Sequence, residues 1–234
     1  MDRPTPARVA MISGASRGIG AAIATRLVSQ GWSVSLGLRT PSACPVSGPQ
    51  VLACHFDALD AASEAAWVAA TMRHFGRLDA LVHNAGMHSG KTVLEASDED
   101  FDTLFHVNVK SPMRLTRHAW PYLAANGAGK IVTIASLSGK RVKSAHSGLY
   151  GMSKFAAVGL AHALRQCGKE QGVRSTAICP SFVATDMVRG LGVPEPTQLT
   201  QPDDIARIVH LVLDLPPTAS ISEIPVHWTV EDCF

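Results

Sequence analysis

Short apolar runs alternate with longer segments of helical periodicity along the chain. Apolar runs that stop at glycine, proline or polar residues are typical of buried strands, whereas apolar residues spaced three and four apart indicate helices. The runs predict strands over Val9–Ile12, Trp32–Leu38, Val51–Phe56, Leu78–His83, Lys130–Ala135, Val173–Cys179 and, as a possible last strand, Ile224–Val230. The periodic segments predict helices over Ile19–Ser29, Ala61–Phe75, Leu149 to about Gln171, and Pro202–Asp214.

A further helix is predicted to begin at Ser97, because Ser97 and Asp100 have the spacing of a capping box. Pro112 lies within the helical pattern that follows, and a proline there removes a main-chain hydrogen bond, so we expect a kink. The regular alternation predicts an α/β fold with a doubly wound parallel sheet of about seven strands and helices on both faces. No linker divides residues 1–234, which predicts one domain.

Composition and charge narrow the classes of function. The net charge is +2 without a long basic run, which argues against a nucleic-acid or membrane-surface partner. No run of about 18 apolar residues is available for a membrane span, and the N-terminal segment lacks the apolar core of a signal peptide. The histidines lack metal-ligand spacing, so no metal site is expected. A cytoplasmic location is expected, because the cysteines are odd in number and scattered: Cys44, Cys54, Cys167, Cys179 and Cys233.

A glycine-rich segment lies where the first predicted strand becomes the first helix. Gly14 suits a tight turn, Gly18 lets the backbone approach a pyrophosphate, and Gly20 lets the helix pack close to the strand. A helix N-terminus also offers unpaired N–H groups and a positive dipole end to phosphates. The segment predicts a dinucleotide site formed by Gly14, Ser16, Arg17, Gly18, Ile19 and Gly20.

Five motifs in this order resemble those of the short-chain dehydrogenase/reductase superfamily. They are G-x-x-x-G-x-G from Gly14, His83-Asn84-Ala85-Gly86, Asn108, Ser136, and the Y-x-x-x-K pair of Tyr150 and Lys154. The resemblance extends from Val9 to Asp214. It implies a Rossmann fold and hydride transfer between a nicotinamide cofactor and a small ketone, aldehyde or secondary alcohol.

Two arginines favour NADP(H) over NAD(H). The resemblance places Leu38 where relatives that use NAD carry an acid for the ribose 2′-hydroxyl, and Arg39 follows it directly. Arg17 lies inside the glycine-rich segment. Guanidinium groups match a 2′-phosphate in charge and shape. The alternative is that both arginines are ordinary solvated surface residues.

The resemblance also implies the remaining cofactor contacts. Asp57 matches the family residue that accepts a hydrogen bond from adenine, although an aspartate at a strand end can instead cap a turn. Ser181 replaces the glycine that usually follows Pro180, which restricts the backbone beside the expected nicotinamide site. The other implied cofactor residues are Ala58, Asn84, Ala85, Gly86, Tyr150, Lys154, Pro180, Val183 and Thr185.

Tyr150 and Lys154 are one helical turn apart and share a face. A nearby ammonium lowers the pKa of a tyrosine, which would let Tyr150 act as general acid or base on the substrate oxygen. The resemblance gives Ser136 the task of stabilising charge on that oxygen, with Ser138 as a rival. It gives Asn108 a place in a proton relay to Lys154.

The sequence does not identify the substrate. The family topology places His88, Ser138, His146, Ser181 and Met187 near the pocket. Residues 186–200 form a short segment for a substrate lid, so the pocket is either open or closed by a neighbouring subunit of a homodimer or homotetramer. The alternative function is an NADP(H)-binding sensor on the same fold, without catalysis.

Overall fold

The computed structural model describes residues 7–230, and these residues form one parallel sheet of seven strands. The strand order is β3-β2-β1-β4-β5-β6-β7, so the direction of winding reverses between β1 and β4, where sheets of this kind bind ligands. The strands are β1 (Val9–Ser13), β2 (Ser33–Leu38), β3 (Val51–His55), β4 (Ala80–His83), β5 (Lys130–Ile134), β6 (Arg174–Pro180) and β7 (Glu223–Val226).

Helices cover both faces of the sheet. They are α1 (Gly18–Ser29), α2 (Ala61–Phe75), α3 (Asp98–Phe105), α4 (Ser111–Ala125), α5 (Gly148–Cys167) and α6 (Pro202–Asp214). Ile23 and Leu27 of α1 pack with Val209 of α6 on one face, and Trp67 of α2 packs with Leu115 of α4 on the other. Short 3₁₀ turns occupy Pro41–Ala43, Leu137–Gly139, Ala145–Ser147, Asp186–Val188 and Pro196–Gln198. The predicted doubly wound α/β fold is confirmed.

The predicted kink takes the form of a π-helical turn. Ser97 and Asp100 form the predicted capping box at the start of α3. The helix then widens into a π turn over His106–Lys110, and Pro112 stands in the first turn of α4. Proline has no N–H for the carbonyl four residues earlier, which belongs to Asn108. The π turn therefore places the distortion immediately before the proline, at the segment that contains Asn108.

Two predicted boundaries are wrong by several residues, while the others differ by one or two at most. Helix α5 ends at Cys167 instead of near Gln171, because the Gly168 carbonyl accepts the N–H of Val173 at 3.1 Å and turns the chain into β6. Strand β7 ends at Val226 instead of Val230, since its neighbour β6 extends only to Pro180. Pro180 is thus the last residue of β6, not the residue after it.

Two structural observations concern possible membrane helices and the cysteines. None of the helices in the described residues combines the length and the apolar character that a membrane crossing requires. Cys44, Cys54, Cys167 and Cys179 are free thiols. Cys233 and the predicted N-terminal segment before residue 7 lie outside the described residues.

Candidate active site

The turn between β1 and α1 leaves no space for side chains at two of its glycines. Gly14 has a φ of +66°, and a Cβ there would lie 2.8 Å from the Ala85 Cα. A Cβ on Gly20 would lie 2.4 Å from both the Gly14 carbonyl oxygen and the Asn84 Nδ2 atom. The main chain of this turn therefore packs directly against the residues that follow β4, a contact that the glycine spacing did not specify.

Ser13 and Asn84 join the ends of β1 and β4. The Ser13 hydroxyl accepts hydrogen bonds from the N–H groups of Asn84 (3.1 Å) and Ala85 (3.0 Å) and donates to the Val82 carbonyl (3.3 Å). The Asn84 amide donates to the carbonyls of Ser13 (3.0 Å) and Gly14 (2.9 Å). The hydroxyl at position 13 and the amide at position 84 thus hold the glycine-rich turn in shape.

The start of α1 has the features of a phosphate site. Arg17 occupies the N-cap position with an extended backbone, and its side chain makes no capping hydrogen bond. No acidic residue stands in the first turn of the helix. The first N–H groups of α1, its dipole and the bare glycine backbone beside them fit the pyrophosphate of a dinucleotide.

The predicted adenosine contacts lie at the carboxyl ends of β1, β2 and β3. Arg39 is exposed directly after β2. The Arg17 guanidinium lies 3.2 Å from the Asp186 carboxylate, and its side chain is 72% exposed, so solvent weakens this ion pair. Asp57 accepts a hydrogen bond from the Leu59 N–H at 2.9 Å, so its carboxylate does cap a turn. Ala58 follows it and is buried.

Tyr150 and Lys154 lie on one side of α5, with 8% and 7% of their surfaces exposed. The Lys154 ammonium donates to the Ile134 carbonyl at the end of β5 (3.0 Å) and lies 5.7 Å from the centre of the Tyr150 ring. The His88 ring also packs against Tyr150, with 4.8 Å between ring centres. The phenol is thereby fixed between α5 and the segment that follows β4.

Burial shifts the pKa values of both side chains. It raises the pKa of Tyr150 to about 12, against a smaller opposing effect of the Ser136 hydroxyl, and it lowers the pKa of Lys154 to about 8. The pKa of Tyr150 is therefore shifted in the direction opposite to the predicted one, because desolvation of the buried phenolate is the largest effect on it. At neutral pH the tyrosine is protonated.

Ser136 directly follows β5, opposite the end of β6. Its hydroxyl accepts the Ser138 N–H at 3.1 Å and donates weakly to the Pro180 carbonyl at 3.4 Å. The Ser136 side chain is hydrogen-bonded to Tyr150, and this bond opposes the rise in the pKa of the phenol. Ser138, in the following 3₁₀ turn, lines the same cavity. Of these two serines, it is Ser136 whose side chain lowers the pKa of the phenol.

Asn108 is 4% exposed, and its amide is fully engaged. It donates to the Met87 carbonyl (3.0 Å) and to the Ser153 hydroxyl (2.9 Å) and accepts the Met87 N–H (2.9 Å). Ser153 in turn donates to the Tyr150 carbonyl at 2.7 Å. The sequence reasoning missed Ser153, whose only signal was its place between Tyr150 and Lys154. Ser153 links the π turn to the tyrosine-bearing turn of α5.

A cavity of about 620 Å³ joins these groups, and its volume is typical of a small-molecule site. Among the residues with predicted roles, Ser136, Tyr150, Lys154, Ile19, Pro180, Val183 and Thr185 line it, as do the predicted pocket residues His88, Ser138, His146, Ser181 and Met187. The remaining predicted residues do not line it, although Gly86 lies between Asn108 and Lys154. Two lining cations, Arg141 and Lys143, had no predicted role.

Comparison with known proteins supports this description of the fold. A family model described as short chain dehydrogenase matches residues 8–195. The chain is 40% identical over 220 residues to an agropine synthesis reductase from Rhizobium rhizogenes, in an alignment that covers 91% of this chain and 50% of that protein. It therefore spans about half the length of that relative. It is also 29% identical over 217 residues to acetoacetyl-CoA reductase from Shinella zoogloeoides, with coverages of 86% and 89%.

Solved structures of related proteins have a similar fold. A metagenomic short-chain oxidoreductase in complex with NADP is 30% identical, with a TM-score of 0.81 and an alignment that covers 97% of this chain and 99% of the other. The family model covers most of the chain and includes the glycine-rich turn, Ser136, Tyr150 and Lys154. The chain therefore belongs to the short-chain dehydrogenase/reductase family of oxidoreductases.

Proposed function

We propose that this protein transfers hydride between NADP(H) and a small ketone, aldehyde or secondary alcohol, with Tyr150 as the general acid and base. The observation that carries the proposal is a buried phenol at a cavity, next to the Ser136 hydroxyl and one turn from the Lys154 ammonium. Tyr150 is protonated at neutral pH, and that is the state in which a general acid acts in carbonyl reduction.

Each residue has a distinct task in this mechanism. The nicotinamide supplies or accepts the hydride when the cofactor is bound. Ser136 donates a hydrogen bond to the carbonyl oxygen, and Tyr150 delivers its proton to the same oxygen. The Lys154 ammonium stabilises the phenolate that remains. Asn108 belongs to the path that returns a proton to Lys154. Its main-chain carbonyl is the one for which Pro112 has no N–H.

The cofactor would lie across the carboxyl ends of the central strands. Its pyrophosphate would contact the α1 start, with Arg17 and Arg39 at the 2′-phosphate and Asp57 at the adenine. Arg17 and Arg39 support NADP(H) over NAD(H), and one relative was solved in complex with NADP. The further residues proposed to contact the cofactor are Gly14, Ser16, Gly18, Ile19, Gly20, Ala58, Asn84, Ala85, Gly86, Lys154, Pro180, Val183 and Thr185. The proposal covers residues 1–234 as one cytoplasmic domain that assembles as a homodimer or homotetramer.

The test is NADPH consumption with a panel of ketones and aldehydes. In Tyr150→Phe we expect kcat to fall by about 10³-fold, since that is the range for loss of a general acid. Tyr122, the other tyrosine of the chain, lies 39% exposed on α4, and Tyr122→Phe is the matched control that should retain activity.

A different outcome would support the alternative function. NADPH binding without turnover of any carbonyl compound would indicate a sensor, and a Tyr150→Phe variant with near wild-type turnover would refute the mechanism. Titration of NADPH fluorescence measures binding separately from turnover, so the two functions give distinct results.

A further inference from the structure

We propose that Ser153 is a positioning residue of the active site, because its hydroxyl holds the Asn108 amide with the amide oxygen toward Lys154. The inference rests on the proposed function, since that function gives Asn108 a place in the path that returns a proton to Lys154. It adds to the site a buried residue that does not itself line the cavity.

The Ser153 hydroxyl can take part in its hydrogen bonds in only one way. The side chain lies on α5 and is 0% exposed. Its hydroxyl donates to the Tyr150 carbonyl at 2.7 Å, and a carbonyl can only accept, so the single hydroxyl proton is used there. The hydroxyl oxygen is then an acceptor for the Asn108 Nδ2 atom at 2.9 Å. Ser153 therefore requires the donor end of the Asn108 amide to face it.

The main chain of Met87 requires the same orientation of the amide. The Asn108 Nδ2 atom donates to the Met87 carbonyl at 3.0 Å, and the Asn108 Oδ1 atom accepts the Met87 N–H at 2.9 Å. An amide turned over would present its oxygen to the carbonyl and to the Ser153 hydroxyl, and its nitrogen to the N–H. All three hydrogen bonds would be lost at a buried position, where unpaired polar groups are costly. Three bonds thus select one orientation, and Ser153 supplies one of them.

This orientation places the amide oxygen beside the Lys154 ammonium. A Cβ on Gly86 would lie 3.3 Å from the Asn108 Oδ1 atom and 3.6 Å from the Lys154 Nζ atom. The oxygen and the ammonium therefore both approach the same point, which the missing side chain of Gly86 leaves open. The negative end of an amide dipole stabilises a nearby ammonium, whereas its NH₂ end destabilises one.

The other groups that face Lys154 do not titrate near its pKa. The contact from β5 is the Ile134 carbonyl, at 3.0 Å. Tyr150 lies one turn earlier on α5, and the Cys179 thiol of β6 interacts electrostatically with the ammonium. Burial raises the pKa of Tyr150 to about 12 and that of Cys179 to about 11, while it lowers the pKa of Lys154 to about 8. A change in titration near pH 8 therefore reports on Lys154.

The experiment measures the alkaline fall of activity in Ser153→Ala. Steady-state NADPH oxidation is followed with the ketone or aldehyde of the panel above that has the highest kcat/KM. We expect kcat to fall by about fivefold, as for the loss of one buried hydrogen bond, with both KM values within about twofold. The alkaline fall of kcat/KM should begin about half a pH unit lower, because a loosened amide stabilises the ammonium less.

Ser35→Ala is the matched control for the loss of a buried hydroxyl. Ser35 of β2 is also 0% exposed, and it does not line the cavity. Its hydroxyl accepts the Trp67 indole N–H at 2.9 Å and is hydrogen-bonded to the Thr71 hydroxyl at 2.7 Å. Thermal unfolding should show a loss of stability in both alanine variants, whereas kcat and the alkaline fall should change only in Ser153→Ala. Equal effects of the two variants on the pH profile would overturn the inference.

Two further variants test whether Ser153 acts through Asn108. Asn108→Ala removes the amide, so adding Ser153→Ala to it should lower kcat by no more than about twofold. Losses that multiply in the double variant would overturn the inference, because Ser153 would then act on its own. Ser153→Thr retains a hydroxyl and should retain the wild-type alkaline fall, and thermal unfolding measures any cost of its additional methyl group.

Titration of Lys154 without substrate or cofactor keeps the test independent of turnover. NMR of isotopically labelled lysine side chains follows the ammonium groups, and Lys154→Met identifies the resonance of Lys154. Its pKa should be about half a pH unit lower in Ser153→Ala and unchanged in Ser35→Ala. An unchanged pKa in Ser153→Ala would overturn the inference while the proposed function stands. Failure of all carbonyl compounds to consume NADPH would instead contradict the proposed function, and this titration would still decide whether Ser153 positions the amide.

Discussion

The two ends of the site are built in different ways. At the cofactor end, the β1–α1 turn and the end of β4 are held by main-chain contacts and by the hydrogen bonds of Ser13 and Asn84. At the proposed substrate end, the loops after β5 and β6 supply side chains, several of them charged or exposed. A site that recognises one common ligand can be specified by backbone shape, whereas a site for a particular substrate depends on replaceable loop side chains.

Of the predictions that test this difference, reversing a charge at the cofactor end should have the largest effect. We expect Arg39→Asp to lower the ratio of kcat/KM for NADPH over NADH by about 100-fold, because it removes a charged hydrogen bond and adds repulsion toward a 2′-phosphate. Steady-state kinetics with both cofactors measures the ratio. Arg73→Asp, an equal change on the exposed surface of α2, should leave it unaltered. An unchanged ratio in Arg39→Asp would refute the NADP assignment.

Adding one methyl group to the turn tests its close packing. Gly20→Ala should destabilise the fold by about 1–3 kcal/mol and weaken NADPH binding, since the new Cβ would meet the Gly14 carbonyl and the Asn84 amide. Thermal unfolding and NADPH fluorescence titration measure the two effects. At the exposed Gly159 of α5, a Cβ meets nothing within 4 Å, so Gly159→Ala should instead stabilise by about 0.5–1 kcal/mol. Similar stabilities for the two variants would contradict the packing argument.

Changing the pH near neutrality should have the smallest effect on activity. Burial lowers the pKa of Lys154 to about 8, so its ammonium is present below that pH and lost above it. We expect kcat/KM for reduction to be level between about pH 6 and 7 and to fall about tenfold per unit well above pH 8, as for one titrating group. Lys169→Met should retain this profile. A rate that stays level to about pH 9.5 would exclude Lys154 as the controlling group.

Much of the fold followed from local signals. The bounds of α2 and α6 are as predicted, because Asp60 and Gly76 cap α2 and Pro202 begins α6. The region around Asn108 was harder, since a proline indicates a distortion but not its form, and the π turn depends on packing against α5. The end of α5 was missed because the turn at Gly168 depends on a contact with Val173.

The candidate site likewise has some features that were predicted from the sequence and others that were not. Motif spacing pointed to Ser136, Tyr150 and Lys154, and the fold brings them to one cavity. The direction of the pKa shift of Tyr150 was mispredicted, because spacing along a helix indicates neighbours but not how deeply a phenol is buried. Ser153 was not predicted, since its role depends on where the π turn meets α5.

The amino-acid sequence by itself determined the alternation of strands and helices, the glycine-rich turn and the one-turn separation of Tyr150 from Lys154. These features depend on backbone sterics and on the regular geometry of helices, which act over a few residues. Only the tertiary structure decided the burial of Tyr150 and Lys154, the bonding of Asn108 to Ser153 and the cationic lining of the cavity. Desolvation and charge clustering arise when segments that are distant in the chain are packed together, and no local pattern records that packing.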